Sequence, residues 1–151
     1  MTALIKHQKQ PCPTSCMSTC VAMVAGLPAG TVRRLMHDRY HKGVINLGHM
    51  LDELGIPYTS FDSAQDDNAR LDQVGAYFCT MPSLNTDGGQ HAMVIEVTAT
   101  TWHVLDPNRG KLGRRRHYIK RGKHARKGVE LNGYTVNAFV SHDWLKDRPH
   151  D

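Results

Sequence analysis

In the stretch Gln10-Pro11-Cys12-Pro13-Thr14-Ser15-Cys16-Met17-Ser18-Thr19-Cys20-Val21-Ala22-Met23-Val24-Ala25-Gly26, a lead-in rich in proline and hydroxyl groups gives way to small and apolar residues. Cys16, Cys20, Val21, Met23 and Val24 recur at helical spacing, and Gly26 follows as a stop, which predicts a helix over 15–25. Pro13-Thr14-Ser15 supplies an N-terminal proline and hydroxyl groups suited to capping. Cys16 therefore falls in the first turn of a helix, where the amide dipoles favour a thiolate over a thiol.

Downstream, 28–39 reads as a second helix with Val32, Leu35 and Met36 on one face. A third spans 46–54, with Leu47, Met50, Leu51 and Leu54 apolar, and ends at Gly55. The pattern then changes to extended segments at 56–61, 74–84, 91–98, 101–105 and 134–141. The acidic run 62–72 reads as a loop or short helix, 85–89 as a turn, and the tail from Asp143 as polar. Helices first and an antiparallel sheet after them define an α+β chain. Neither repeats nor linkers interrupt it, so the expectation is one domain over 1–151 with a basic insert at about 109–128.

At 151 residues, 40% hydrophobic and 22% charged, the chain has the composition of a globular protein that needs no covalent staples. The longest apolar stretch, 21–27, is too short to span a bilayer, and residues 1–10 lack the apolar core of a secretory signal. A cytoplasmic protein without a membrane span is expected. Four cysteines do not make a disulfide scaffold, and Cys12, Cys16 and Cys20, four apart along one segment, are read as reduced thiols. A structural zinc site needs a second ligand pair, and only Cys79 remains, so no metal or cofactor is expected.

A cysteine nucleophile needs an imidazole from elsewhere in the fold, a third group to orient that imidazole, and donors for a developing oxyanion. Of ten histidines, His91 opens a strand directly after the Asp87-Gly88-Gly89 turn, and the next strand ends at Asp106-Pro107. Antiparallel pairing through a turn near Ala99-Thr100 would return Asp106 to His91. Gln10, six residues before Cys16, carries a side-chain amide of the kind an oxyanion hole uses. Taken singly, each has an ordinary structural reading: Cys16 a small buried hydrophobe, His91 a surface imidazole, Asp106 a turn former. Their joint order lifts them above it.

Gln10, five residues, then Cys16-Met17-Ser18-Thr19 and the helix through Val24 resembles the N-terminal motif of the peptidase C39 family, the papain-like domains that process bacteriocin leaders. His91-Ala92-Met93-Val94-Ile95-Glu96-Val97 resembles the family's block of histidine plus strand, and Val104-Leu105-Asp106-Pro107-Asn108-Arg109-Gly110 its strand ending in Asp-Pro. The resemblance covers 10–110. It implies a papain-like fold, N-terminal helices packed on an antiparallel sheet, and a cysteine peptidase acting on a peptide or protein substrate. Cys16 would be the nucleophile, His91 the base, Asp106 the orienting residue and Gln10 the oxyanion-hole residue. The chain departs from the family pattern at Met17, where glycine is usual, at Ser18-Thr19 in place of Pro-Ala, and in its basic insert.

Two further classes of function fit the sequence. A C39-like fold with an inactive site would be a peptide-binding module. The insert carries ten cationic residues and no acid between Arg109 and Lys127, among them Arg114, Arg115, Arg116, Lys120 and Arg121. Such a stretch suits an acidic partner, an anion or nucleic acid, or simply a solvated hairpin that adds solubility. In an enzyme, resolution by an amine rather than water would make a transferase.

Overall fold

A computed structural model describes residues 3–61, 70–110 and 116–149. It is an α+β arrangement in which an N-terminal group of helices lies on one face of a five-stranded antiparallel sheet.

The first helix, α1 (Cys16–Ala25), is buried at all eight positions from Met17 to Val24, which its small and apolar residues permit on every side. Gly26, at φ 75°, closes it in the left-handed conformation, its N–H reaching the Ala22 and Met23 carbonyls. The second helical stretch runs from α2 (Ala29–Val32) through a π-helical turn (Arg33–His37) into α3 (Asp38–His41). That wider turn shifts the facing of the side chains: Val32 and Met36 are buried, but Leu35, expected beside them, is 55% exposed. Helix α4 (Leu47–Glu53) begins with a reciprocal cap, the Asn46 side chain accepting from the His49 N–H while the Asn46 N–H donates to His49 Nδ1.

The sheet order is β1 (Thr59–Ser60), β7 (Thr135–Ser141), β2 (Gly75–Pro82), β3 (Gln90–Val97), β4 (Trp102–Leu105). The strand expected over 56–61 shrinks to the two residues of β1, since Gly55 turns the chain at φ 71° and Pro57 brings no N–H to a ladder. Strands β2 and β3 alternate cleanly. Ala76, Phe78, Ala92 and Val94 pack towards the helices, and Tyr77, Cys79, Met81, Met93 and Ile95 face a second apolar layer with Tyr118 and Leu131. Both faces of the sheet centre are covered, so β2 and β3 are buried along most of their length, with Pro82 and Gln90 exposed at one end.

The basic insert is not a hairpin. Strands β5 (His117–Ile119) and β6 (Gly128–Glu130) pair in parallel, joined by an exposed crossover. Arg114 and Arg115 lie outside the described residues, as does 62–69 of the expected acidic loop. The tail also differs from expectation. Residues after β7 form α5 (His142–Asp147), with Leu145 fully buried and Arg148 buried behind it. The Arg148 guanidinium donates to the Met23 and Val24 carbonyls at the end of α1 and to the Leu4 carbonyl. A six-residue helix is too short for its apolar positions to show a period.

Candidate active site

Cys16 stands at the first position of α1, partly exposed, on one wall of a cleft of about 260 Å³. The preceding loop sets it there. Ser15 Oγ accepts from the Cys12 N–H at 3.1 Å and donates to the Cys12 carbonyl at 3.0 Å, closing a tight turn. The Ser15 hydroxyl is thereby spent on the loop and makes no cap to α1, contrary to the expectation from sequence. The first N–H groups of a helix have no acceptor within it, so those of Cys16 and Met17 start the helix without a side-chain cap.

His91 enters the same cleft from β3, with 5% of its surface exposed. Antiparallel pairing of β3 with β4 (Val94 opposite Leu105) carries Asp106 to the imidazole, as the sequence implied. His91 Nε2 and Asp106 Oδ1 are 2.6 Å apart, and both side chains are almost wholly buried. The imidazole also interacts with the Cys16 side chain. With Nε2 committed to Asp106, Nδ1 is the nitrogen left for the thiol.

Three donors hold the carboxylate of Asp106. Besides His91, the Asn108 N–H donates to Oδ1 at 2.8 Å and the Tyr118 N–H to Oδ2 at 2.6 Å. Both oxygens of this buried carboxylate are thereby paired. Burial by itself would lower the His91 pKa, but the Asp106 carboxylate and the Cys16 thiol outweigh it and raise it to about 9. Near neutral pH the site therefore contains an imidazolium held between a carboxylate and a sulfur.

Gln10 is buried beside this group, but its Nε2 donates to the Cys12 and Pro13 carbonyls at 2.9 and 3.1 Å. Its backbone N–H donates to the Pro107 carbonyl, which ties the loop before Cys16 to the loop after β4. These bonds fix the Gln10 amide in the loop that leads into α1. Among the described members of the basic set, Arg116 binds the 83–89 turn, its guanidinium donating to the Leu84 carbonyl at 2.7 Å. Lys120 donates to Thr101 Oγ1 at 2.7 Å, and Arg121 is exposed. None of the three lines the thiol cleft.

Two cleft residues were not singled out from sequence. Tyr40 has its pKa raised by burial and by the nearby Cys16 and Cys20 thiols, and nothing in the helical pattern marked it. Asn108 is 4% exposed and lines the cleft, and its N–H closes a turn on Asp106 that the Asp106-Pro107-Asn108 order does signal.

Cys12 is the second partly exposed thiol. Burial would raise its pKa, but hydrogen bonds from Ser15, Arg33 and Thr14 lower it to about 7. Burial pushes the Cys20 and Cys79 thiols well up. Among the described residues no group of three His, Cys, Asp or Glu side chains is placed to hold a metal ion, and no helix is long and apolar enough to cross a membrane. No family model, no curated protein and no solved structure matches the chain.

Proposed function

We propose that the protein is a cysteine-nucleophile hydrolase that cleaves a peptide or isopeptide amide through a thioester, with a papain-like arrangement of its catalytic groups. The observation that carries this reading is the buried His91–Asp106 pair at 2.6 Å lining the same cleft as Cys16, which stands at the start of a helix. The resemblance of 10–110 to C39 peptidases supports the same reading.

Attack requires the sulfur as a thiolate, and His91, whose pKa is raised to about 9, carries the proton that the sulfur gives up. The Cys16 sulfur attacks the amide carbonyl carbon, and the oxygen becomes an oxyanion held by the free N–H groups of the first turn of α1. Collapse of the tetrahedral intermediate breaks the C–N bond as His91 passes its proton to the departing amine. Neutral His91 then takes a proton from water, which attacks the thioester and releases the acid and the thiol. Asp106 keeps the imidazole in the tautomer with Nε2 protonated throughout.

The test is trapping with an electrophilic peptide probe, followed by mass mapping. Wild-type protein should acquire an adduct at Cys16 that His91→Ala loses, whatever label Cys12 also takes. Turnover of a fluorogenic peptide library should vanish in Cys16→Ala. A Cys16 no faster than free cysteine, together with no turnover across the library, sinks the proposal.

A further inference from the structure

A second cavity in the described structure is larger than the thiol cleft. It measures about 420 Å³ and lies between β4, the N-terminal segment and the β5–β6 crossover. We propose that this cavity is a binding site for a phosphate monoester carrying a flat ring, a ligand of mononucleotide size.

Charge is the first argument. Arg109, Lys120 and Lys123 line the cavity together with three imidazoles, His7, His103 and His117. These groups come from four separate segments that the fold alone brings together. One carboxylate, Glu96, shares the wall, but its two oxygens accept the Leu4 and Ile5 N–H groups at 2.7 and 3.0 Å. Three permanent cations against one engaged carboxylate suit a ligand of more than one negative charge, while His7 Nε2 is already paired with the Asp106 carbonyl at 2.7 Å. A phosphate monoester carries nearly two.

The second argument is an unmet hydrogen bond. His117 is 7% exposed, lines the cavity, and its Nε2 has no hydrogen-bond partner among the described residues. Buried polar nitrogens in folded proteins are normally paired, so this closed-off nitrogen of a lining residue is one that a small turn of the ring would offer to a ligand oxygen. The third argument is shape. Lys120 Nζ lies 5.4 Å from the centroid of the Trp102 ring, and Trp102 and Tyr118 give the cavity its aromatic surface. A flat ring stacks there while the phosphate meets the cations, and the volume suits a small molecule of that size.

The site is separate from the proposed hydrolase: neither Cys16 nor His91 lines it. The experiment therefore reads binding rather than turnover. Trp102 is one of two tryptophans, so in a Trp144→Phe background its fluorescence reports on the cavity alone. Inorganic phosphate, ribose 5-phosphate and AMP are titrated in turn. AMP is expected to give a saturable change and to bind more tightly than the two ringless phosphates. Arg109→Gln combined with Lys123→Gln, both at exposed positions, should weaken AMP about tenfold or more at an unchanged melting temperature. Equal binding of all three probes would overturn the ring and leave an oxyanion site. No saturable change up to about 10 mM, or unchanged affinity in the double variant, overturns the site altogether. Binding of single-stranded DNA without any AMP signal would overturn it too, and would make the basic face a nucleic-acid surface.

Discussion

Asp106→Asn removes a charge from the centre of the site without changing its shape, and its consequences can be worked through. In the parent, His91 is raised from 6.5 to about 9 against the opposing effect of burial. At about 1.4 kcal/mol per pH unit, that difference corresponds to about 3 kcal/mol of folding stability. Because the folded value is the higher one, this stability is fully present below pH 6.5 and is lost as pH rises through 9. Loss of the carboxylate should bring the His91 pKa down by about 1–3 pH units. The amide adds a second effect that does not depend on pH. It keeps an oxygen for His91 and the Asn108 N–H but turns its own N–H₂ towards the Tyr118 N–H, a conflict of about 1–3 kcal/mol. The assay is an NMR titration of the histidine Cε1–H signals, with His91 assigned by His91→Gln, alongside urea unfolding at pH 6 and pH 10. The stability gap between parent and variant should be larger at pH 6 and narrow by pH 10. A His91 that titrates at the same pH in both proteins, or a gap equal at the two pH values, would refute the reasoning.

Iodoacetamide at pH 7.5 should modify Cys12 readily in folded protein, since its thiol titrates at about 7, while Cys20 and Cys79 stay protected until denaturant is added; peptide mapping checks this. Arg33→Ala should slow the Cys12 reaction by removing one of the donors that stabilise its thiolate. Gly75→Ala should destabilise the fold by about 2–4 kcal/mol in urea unfolding: Gly75 sits at φ 151°, and a Cβ there meets the Phe139 ring at 2.8 Å and the Val140 carbonyl closer still. Arg148→Met should cost about 2–3 kcal/mol and lower the melting temperature, because the Met23, Val24 and Leu4 carbonyls lose a buried charged donor.

The local signals in this chain were strong where residue type and period agree. Small apolar residues after Pro13-Thr14-Ser15, closed by Gly26, set α1 and put Cys16 at its start, because those preferences act within a few residues. Alternating apolar runs around the Asp87-Gly88-Gly89 turn set β2 and β3 and, through the short return, brought Asp106 to His91. What the sequence left open depends on partners far along the chain. Leu35 lost its place on the buried face to a π-helical turn, a change of pitch that no residue in 33–37 announces. Gln10 was read from its distance to Cys16, but where its amide points depends on the Cys12 and Pro13 carbonyls. The basic insert became a parallel pair under the second face of the sheet because Tyr118 and Leu131 found apolar cover there. The short helix α5 exists through Leu145, buried where the helix packs on β2 and β7, and through Arg148, held by the end of α1 and the N-terminal segment. Periodicity and capping are properties of neighbours and belong to the sequence. The 2.6 Å contact of His91 with Asp106, and the gathering of four segments around one cavity, are properties of packing, and only the folded chain decides them.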